Sequence, residues 1–425
     1  WNSLEMRYFD NSPFKTNKLK DLFINSDIRN TNESDEYLSV VRDLGVIKYS
    51  ERGNSGNKTS DTPEKYKMVD VGDLVINPMN VTIGSVGVSE YSGCLSGVYL
   101  VLKPRTGVNS KYYHYLFHDK GFQKYLKTIS YGIMEIRESI NKTEFFQFKI
   151  PKPSVDEKEE IVSYLDKKTT HIDELIKKIE QKIELLKEQR ISLINELVTK
   201  GLNPNVEMKN SYIEWIGEIP SHWELLRLNN LGRFSKGKGI TKDKIKVNGN
   251  KCIRCGEIYT TYELRFNKTK SFIDDDTSDE SVLGSKGVLL FTGDGESLEE
   301  IGKCVVYEGE EELYIGGGIN VFTPKQEKVI PIYLSYVMNS QSVIYQKYRQ
   351  GRGEIVVHIY SKQLKDINFG LPPIKEQQQI VEYLDEQTSL IDNIISNENQ
   401  RVLLLNEYKQ SHISEVVTGK KRLVG

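Results

Sequence analysis

The chain has 425 residues, more than one ordinary domain holds, and its 38% hydrophobic and 28% charged residues are those of a soluble globular protein. No run of about 18 apolar residues occurs, which argues against a membrane-spanning helix, and four cysteines (Cys94, Cys252, Cys255 and Cys304) are too few for a disulfide framework and fit a reducing, cytoplasmic setting. The net charge of −2 argues against a uniformly basic nucleic-acid binder, yet residues 233–270 carry eleven Lys and Arg against three Asp and Glu, and Asp274 to Glu312 is acidic; such segregation fits one surface facing nucleic acid and one facing elsewhere.

In chain order, residue 1 is Trp rather than Met, so native residues are expected to precede it. The apolar runs DLVIN (73–77) and GVYLVLK (97–103), bounded by Gly and Pro, read as strands, and residues 112–126 read as a helix. After KIPKP, a stop where helices cannot continue but can begin, a long helix runs from Asp156 to about Lys200. GVLLF (287–291) and INVFTP (319–324) read as strands and residues 332–348 as a helix. FGLPP then opens a second long helix from Lys375 to about Gly419, each of the two being about 66 Å long at 1.5 Å per residue.

The chain is an internal duplication. At an offset of 219 residues, IVSYLDKKTTHIDELI (161–176) falls on IVEYLDEQTSLIDNII (380–395), and eighteen of the 39 positions from 161 to 199 are identical. The match extends backwards: Gly132, Glu135, Ile136 and Ile140 fall on Gly351, Glu354, Ile355 and Ile359, and with small gaps Gly97 and Pro104 fall on Gly317 and Pro324. Arg42 in LSVVRDLGVI stands where Arg254 stands in KCIRCGEI. The period is far longer than a solenoid repeat, so two copies of a large unit are present.

Both long helices carry a heptad frame. Leu165, Ile172, Ile176, Ile179, Ile183, Leu186, Leu193 and Leu197 occupy its a and d positions in the first, with Thr169 and Arg190 as polar breaks. Leu384, Ile391, Ile395, Val402, Leu405 and Val416 occupy them in the second, with Thr388, Glu398, Lys409 and His412 polar. Apolar residues every 3.5 positions call for a facing helix. Arg190 and Lys409 hold equivalent positions, and two cations at one level would resist close packing there. An antiparallel pair would relate the two units by a pseudo-twofold axis, the symmetry that a bipartite DNA site asks of its reader; two helices packed separately on their own domains are the alternative.

The block PIKEQQQIVEYLDEQTSLID (373–392) resembles a conserved region of the DNA specificity subunits of Type I restriction–modification systems, and EWIGEIPSHWELLRL (214–228) is a further segment of that kind. The first unit departs from the pattern, since KTNKLKDLF (15–23) matches the second segment only loosely. The resemblance implies an α+β fold: two pseudo-symmetric mixed α/β target-recognition domains separated by two long helices forming an antiparallel coiled coil. Residues 1–150 would be the first recognition domain, 151–203 the central conserved helix, 204–370 the second recognition domain and 371–425 the distal conserved helix. It also implies a non-catalytic role: recognition of double-stranded DNA at a split site, with two modification subunits that methylate adenine from S-adenosylmethionine and two restriction subunits that use ATP and Mg as translocases and nucleases.

Base reading needs donors and acceptors in the major groove, and phosphate contacts need cations and close backbone approach. In the second domain SKGKGITKDKIK (235–246) offers Lys236, Lys238, Lys242 and Lys244 among glycines, Arg254 follows, and YQKYRQGRGE (345–354) offers Lys347, Arg349 and Arg352 between Tyr345 and Tyr348. In the first domain the candidates are Arg42 at the place of Arg254, Arg52 and Lys58 in the polar loop 52–67, and Lys127 and Arg137 with Tyr131 between them.

Signs of catalysis are weak. Cys252 and Cys255 form one CxxC without a second pair, Cys304 and His358 being remote in sequence. GDG (293–295) and GGG (316–318) complete no phosphate-loop motif and read as turns. INPMN (76–80) lacks the second Pro and the aromatic residue of an adenine-methyltransferase motif. Asp274, Asp275 and Asp276 are adjacent, and successive side chains do not converge on a metal. The competing readings are a duplicated coiled-coil scaffold without DNA reading and a nuclease.

Overall fold

The computed structural model describes residues 9, 12–31, 36–42, 44–52, 63–131, 139–295, 301–350 and 357–423. Contacts divide the chain into two compact units, residues 1–180 with 399–425, and residues 181–398. Each long helix is therefore shared between the units, whereas the division read from the sequence sets each helix apart as a segment of its own, 151–203 and 371–425.

In the first unit β1 (Phe23–Ser26), β2 (Leu74–Ile76), β3 (Val86–Val88) and β4 (Leu100–Pro104) form an antiparallel sheet in the order β1-β4-β2-β3. Its strands are apolar on both faces because both are covered. Leu74, Ile76, Leu100 and Leu102 pack toward the helices. Val75 and Val101 pack the other way, against Leu38, Val40, Val46, Val69 and Leu95 of a second layer.

The second unit repeats this framework. Strands β5 (Gly232–Lys236), β7 (Leu289–Thr292), β8 (Cys304–Tyr307) and β9 (Ile319–Pro324) take the order β5-β9-β7-β8, and β6 (Arg265–Phe266) adds a fifth strand parallel to β8. The second layer is also duplicated. Gly45–Lys48, Leu38–Val41, Gly93–Ser96 and Tyr66–Val69 correspond in neighbour order and direction to Ser271–Ile273, Asn250–Ile253, Leu313–Ile315 and Val282–Gly284; the parallel step is a bridge from Tyr37 to Cys94 in one unit and a ladder from Cys252 to Tyr314 in the other. The units part where three residues (42–44) join the first two of these strands but seventeen (254–270) join their counterparts, forming the helix Cys255–Thr260 and β6.

Each unit adds a helix pair, α1 (Ser110–His118) with α2 (Lys120–Leu126) and α4 (Pro331–Met338) with α5 (Gln341–Gln350). Where the sequence reads one helix over 112–126, the chain breaks at Asp119, whose carboxylate leaves the helix to accept from Phe122 N at 2.8 Å as the cap of α2. The long helices are α3 (Val155–Lys200) and α6 (Ile374–Val417). A reciprocal cap opens α3, with Glu157 N donating to Ser154 Oγ at 3.2 Å and Ser154 N to Glu157 Oε2 at 2.8 Å. Gly201 and Gly419, at φ +73° and +77°, close the two helices in the left-handed conformation that ends a helix most readily at glycine.

Within each unit the helices run antiparallel. In the first, Tyr164 hydroxyl meets His412 Nε2 at 2.8 Å and Lys409 Nζ meets Asp173 at 2.6 Å; in the second, Lys182 Nζ meets Glu398 at 2.7 Å and Arg190 Nε meets Asp392 at 3.0 Å. All ten positions of the heptad frame in each helix are buried or half-buried, the polar ones included. Thr169 and Thr388 satisfy their hydroxyls on the carbonyls one turn back, Leu165 O and Leu384 O. The expectation that Arg190 and Lys409 repel is corrected: each faces an aspartate on the opposing helix rather than the other cation.

One anchor is built twice. Tyr115 on α1 donates to Asp166 of α3 at 2.6 Å, and Tyr336 on α4 donates to Asp385 of α6 at 2.7 Å. Among the described residues no helix is long and apolar enough to cross a membrane.

Candidate nucleic-acid interface

Strand β5 runs out into Gly237 and Lys238. Gly237 N donates to Ile319 O at 2.9 Å and Lys238 N to Ile315 O at 3.1 Å. A Cβ on Gly237 would stand 2.1 Å from Gly316 O, so only glycine lets the two backbones approach this closely. Gly316 N in turn donates to Ile253 O at 2.9 Å, the carbonyl before Arg254, and Gly293 N donates to Gly318 O at 2.8 Å. Ile359 N closes the set on Gly293 O at 2.8 Å. The glycines of GGG and GDG thus serve as turn joints. They gather the end of β5 with Lys236 and the segments that carry Lys238 and Arg254 at one end of the second unit's framework.

Lys236, Lys238 and Lys242 are exposed and form no ion pair among the described residues. Arg254 is half-buried, its Nε 3.2 Å from Glu257 Oε1, and Ser271 Oγ donates to that same carboxylate oxygen. Arg349 is exposed, its guanidinium 5.4 Å from the Trp215 ring centre; Trp215 also lies 5.9 Å from Tyr345. That places a cation and two aromatic groups together, a combination suited to phosphate and base contact.

Two expectations fail on geometry. Lys347 is not a surface cation: it is buried, and its ammonium donates to Gly302 O at 2.5 Å and Met338 O at 2.6 Å, with burial pushing its pKa down to about 8. The basic and acidic stretches are not segregated in space either. Lys244 pairs with Glu280 at 2.9 Å, Lys246 with Asp274 at 3.3 Å and Lys251 with Glu311 at 2.7 Å, because the second-layer strands bring the two stretches side by side.

In the first unit Arg42 is exposed in the turn after Leu38–Val41, at the strand end that matches Arg254. Arg52 is half-buried with its guanidinium 5.7 Å from the Tyr49 ring centre, and Lys127 is exposed after α2. Lys58, Arg137 and Arg352 lie outside the described residues. The sequence reading missed Arg29. The registers Phe23–Pro104 and Gly232–Pro324 place Arg29 where Lys238 stands in the second unit, with its Nη2 2.9 Å from Asp27. Lys67 first, and Arg29 as well, hold the Asp27 carboxyl below its ordinary value.

No three His, Cys, Asp or Glu side chains gather as a metal site among the described residues. Burial pushes the Cys252 and Cys304 thiols up to about 12, so both stay protonated. Asp274 caps a short helix by accepting from Thr277 N at 3.0 Å. Asn77 of INPMN accepts from Met79 N at 3.1 Å as a local turn.

The sequence model of the type I restriction modification DNA specificity domain matches the chain twice, over residues 11–185 and 220–404. The chain belongs to this family. It is 28% identical over 386 residues to the putative type I restriction enzyme MjaX specificity subunit of Methanocaldococcus jannaschii, covering 84% of this chain and 80% of that relative. It is 21% identical to the type I restriction enzyme StySPI specificity subunit of Salmonella potsdam, over 91% and 83% of the two chains. In fold it is similar, at a TM-score of 0.74 and 13% identity, to a chain from a structural study of type I R-M complex assembly and conformational transition, over 96% of this chain and 99% of that one. It is similar at 0.57 to the HsdS subunit of Thermoanaerobacter tengcongensis, again at 13% identity and over 96% and 97%. The two family matches are the two repeats, and each includes one of the duplicated sheets.

Proposed function

We propose that this chain is the non-catalytic specificity subunit of a Type I restriction–modification complex, and that each unit reads one half of a split site in double-stranded DNA. The observation that carries the reading is the duplicated framework. One sheet order and one Tyr–Asp anchor recur in both units, while the loops at the strand ends differ in length and charge. A common framework gives a common way of docking, and different loops give different half-sites. The long helices would set the gap between half-sites.

The reaction itself belongs to the partners in this reading. Two modification subunits would transfer a methyl group from S-adenosylmethionine to adenine, and two restriction subunits would use ATP and Mg; this chain would hold no cofactor and would work in the cytoplasm. The test is methylome sequencing of a host carrying this gene with its modification subunit, against one carrying the modification subunit alone. A split motif of methylated adenines that requires this chain is expected. Co-purification of the two proteins without any new methylation would favour a scaffold instead.

A further inference from the structure

In the second unit Asp385 accepts the Tyr336 hydroxyl and also pairs with Arg265 of β6. Arg265 Nη1 lies 3.7 Å from a second carboxylate, Glu308. The segment carrying Arg265 is held by its backbone: Val306 N and Ser335 Oγ both donate to Leu264 O, at 2.9 and 2.8 Å, and Glu308 N donates to Phe266 O at 2.8 Å. An extended stretch is thus added to the edge of β8, and its arginine reaches two carboxylates.

Among the described residues the first unit has a counterpart of each receiving group and none of the segment. Asp166 is the repeat of Asp385, and Tyr115 bonds it as Tyr336 bonds Asp385. The registers Leu74–Val88 and Leu289–Val306 place Glu90 where Glu308 stands. His114 precedes Tyr115 as Ser335 precedes Tyr336. Residues 254–270, which supply Arg265, have only the three residues between Val41 and Gly45 in their place. At the corresponding place is a cavity of about 350 Å³ lined by Val88, Glu90, Lys111, His114, Tyr115 and Asp166, among others. His114 Nδ1 is buried and has no hydrogen-bond partner among the described residues. Burial, and then His118, lowers the His114 pKa to about 3, so the ring is neutral and keeps one N–H to donate.

We propose that this cavity is a docking site for an arginine on an extended segment of a partner protein. The guanidinium lies between Asp166 and Glu90, the backbone follows the edge of β3, and His114 receives a carbonyl as Ser335 receives Leu264 O. Arginine fits better than lysine because its planar fork can bridge two carboxylates. Lys111 Nζ, exposed and 3.6 Å from Asp166, is the cation that the arginine displaces. The inference does not depend on DNA reading.

The probe is a fluorescein-labelled peptide copying residues 261–268 of this chain, titrated into the full-length protein without DNA and followed by anisotropy. Saturable binding is expected, weakened about tenfold or more by Glu90→Gln and by Asp166→Asn, and lost when Gln replaces Arg in the peptide. Glu90 is exposed, so Glu90→Gln leaves folding intact and decides the matter if Asp166→Asn unfolds the unit. Absence of saturable binding, or binding that Glu90→Gln leaves unchanged, overturns the proposal. So does binding that depends on Glu308, which would place the peptide at the second unit's own site.

Discussion

Lys409 Nζ holds both carboxylate oxygens of Asp173, at 2.6 and 2.7 Å, across the helix pair. The chain repeats this contact between Arg190 and Asp392, each 219 residues from its counterpart, and Arg190 also reaches Glu263 at 3.1 Å. Cations that break a heptad frame are thus accommodated by aspartates lying outside it. The cations are half-buried and the aspartates about half exposed, so solvent still screens these pairs and each is worth about 0.5–1 kcal/mol. Asp173→Lys should destabilise the protein by about 1 kcal/mol or more, through loss of the pair and repulsion between like charges. Combining it with Lys409→Asp should recover most of that loss. A double-mutant cycle in urea measures the coupling, and strictly additive losses would show that the two residues do not interact.

Lys236, the last residue of β5, and Lys238, on the glycine-jointed segment that follows, are exposed cations suited to phosphate rather than base contact. Lys236→Ala and Lys238→Ala should each weaken binding to cognate and non-cognate DNA alike and lower the salt dependence by about one unit of slope. Fluorescence titrations of the assembled complex over a range of salt give the slope. Loss confined to one base position would make the residue a base reader instead.

Lys347 should behave differently. Its folded-state pKa of about 8 lies below the ordinary value of 10.5, so the unfolded chain binds the proton more tightly. Stability should therefore rise as the pH is raised from about 8 to about 10.5, with the unfavourable contribution fully present below that window. Lys347→Met should flatten this rise in thermal melts and leave the salt slope of DNA binding unchanged. A changed slope would return Lys347 to the interface.

One heptad removed from each long helix shortens it by about 10 Å, or about three base pairs of DNA. The methylated motif should keep both half-sites and narrow the gap between them by about that amount. An altered half-site would mean that the helices take part in reading.

The duplication, both long helices and the strands at 73–77, 97–103, 287–291 and 319–324 were legible because apolar period and Gly/Pro punctuation carry them. The heptad frame was legible down to its polar breaks. The partners of Arg190 and Lys409 were not, since heptad positions on one helix do not say which residue of the other lies opposite. Lys347 misled because its neighbours Tyr345, Tyr348 and Arg349 are exposed, whereas its own position on α5 points into the core. Pairs such as Lys244–Glu280 depend on strand order, which no local pattern encodes. Arg29 was hidden because β1 aligns with β5 at an offset of 209 rather than 219, with no glycine pattern to mark it.

The central claim is that two separate units each read one half-site. The most direct test replaces residues 204–370 with the corresponding domain of a relative of known specificity, followed by methylome sequencing with the modification subunit. One half of the methylated motif should change to that of the donor while the other half stays as it was. A change in both halves, or in neither, would contradict the account.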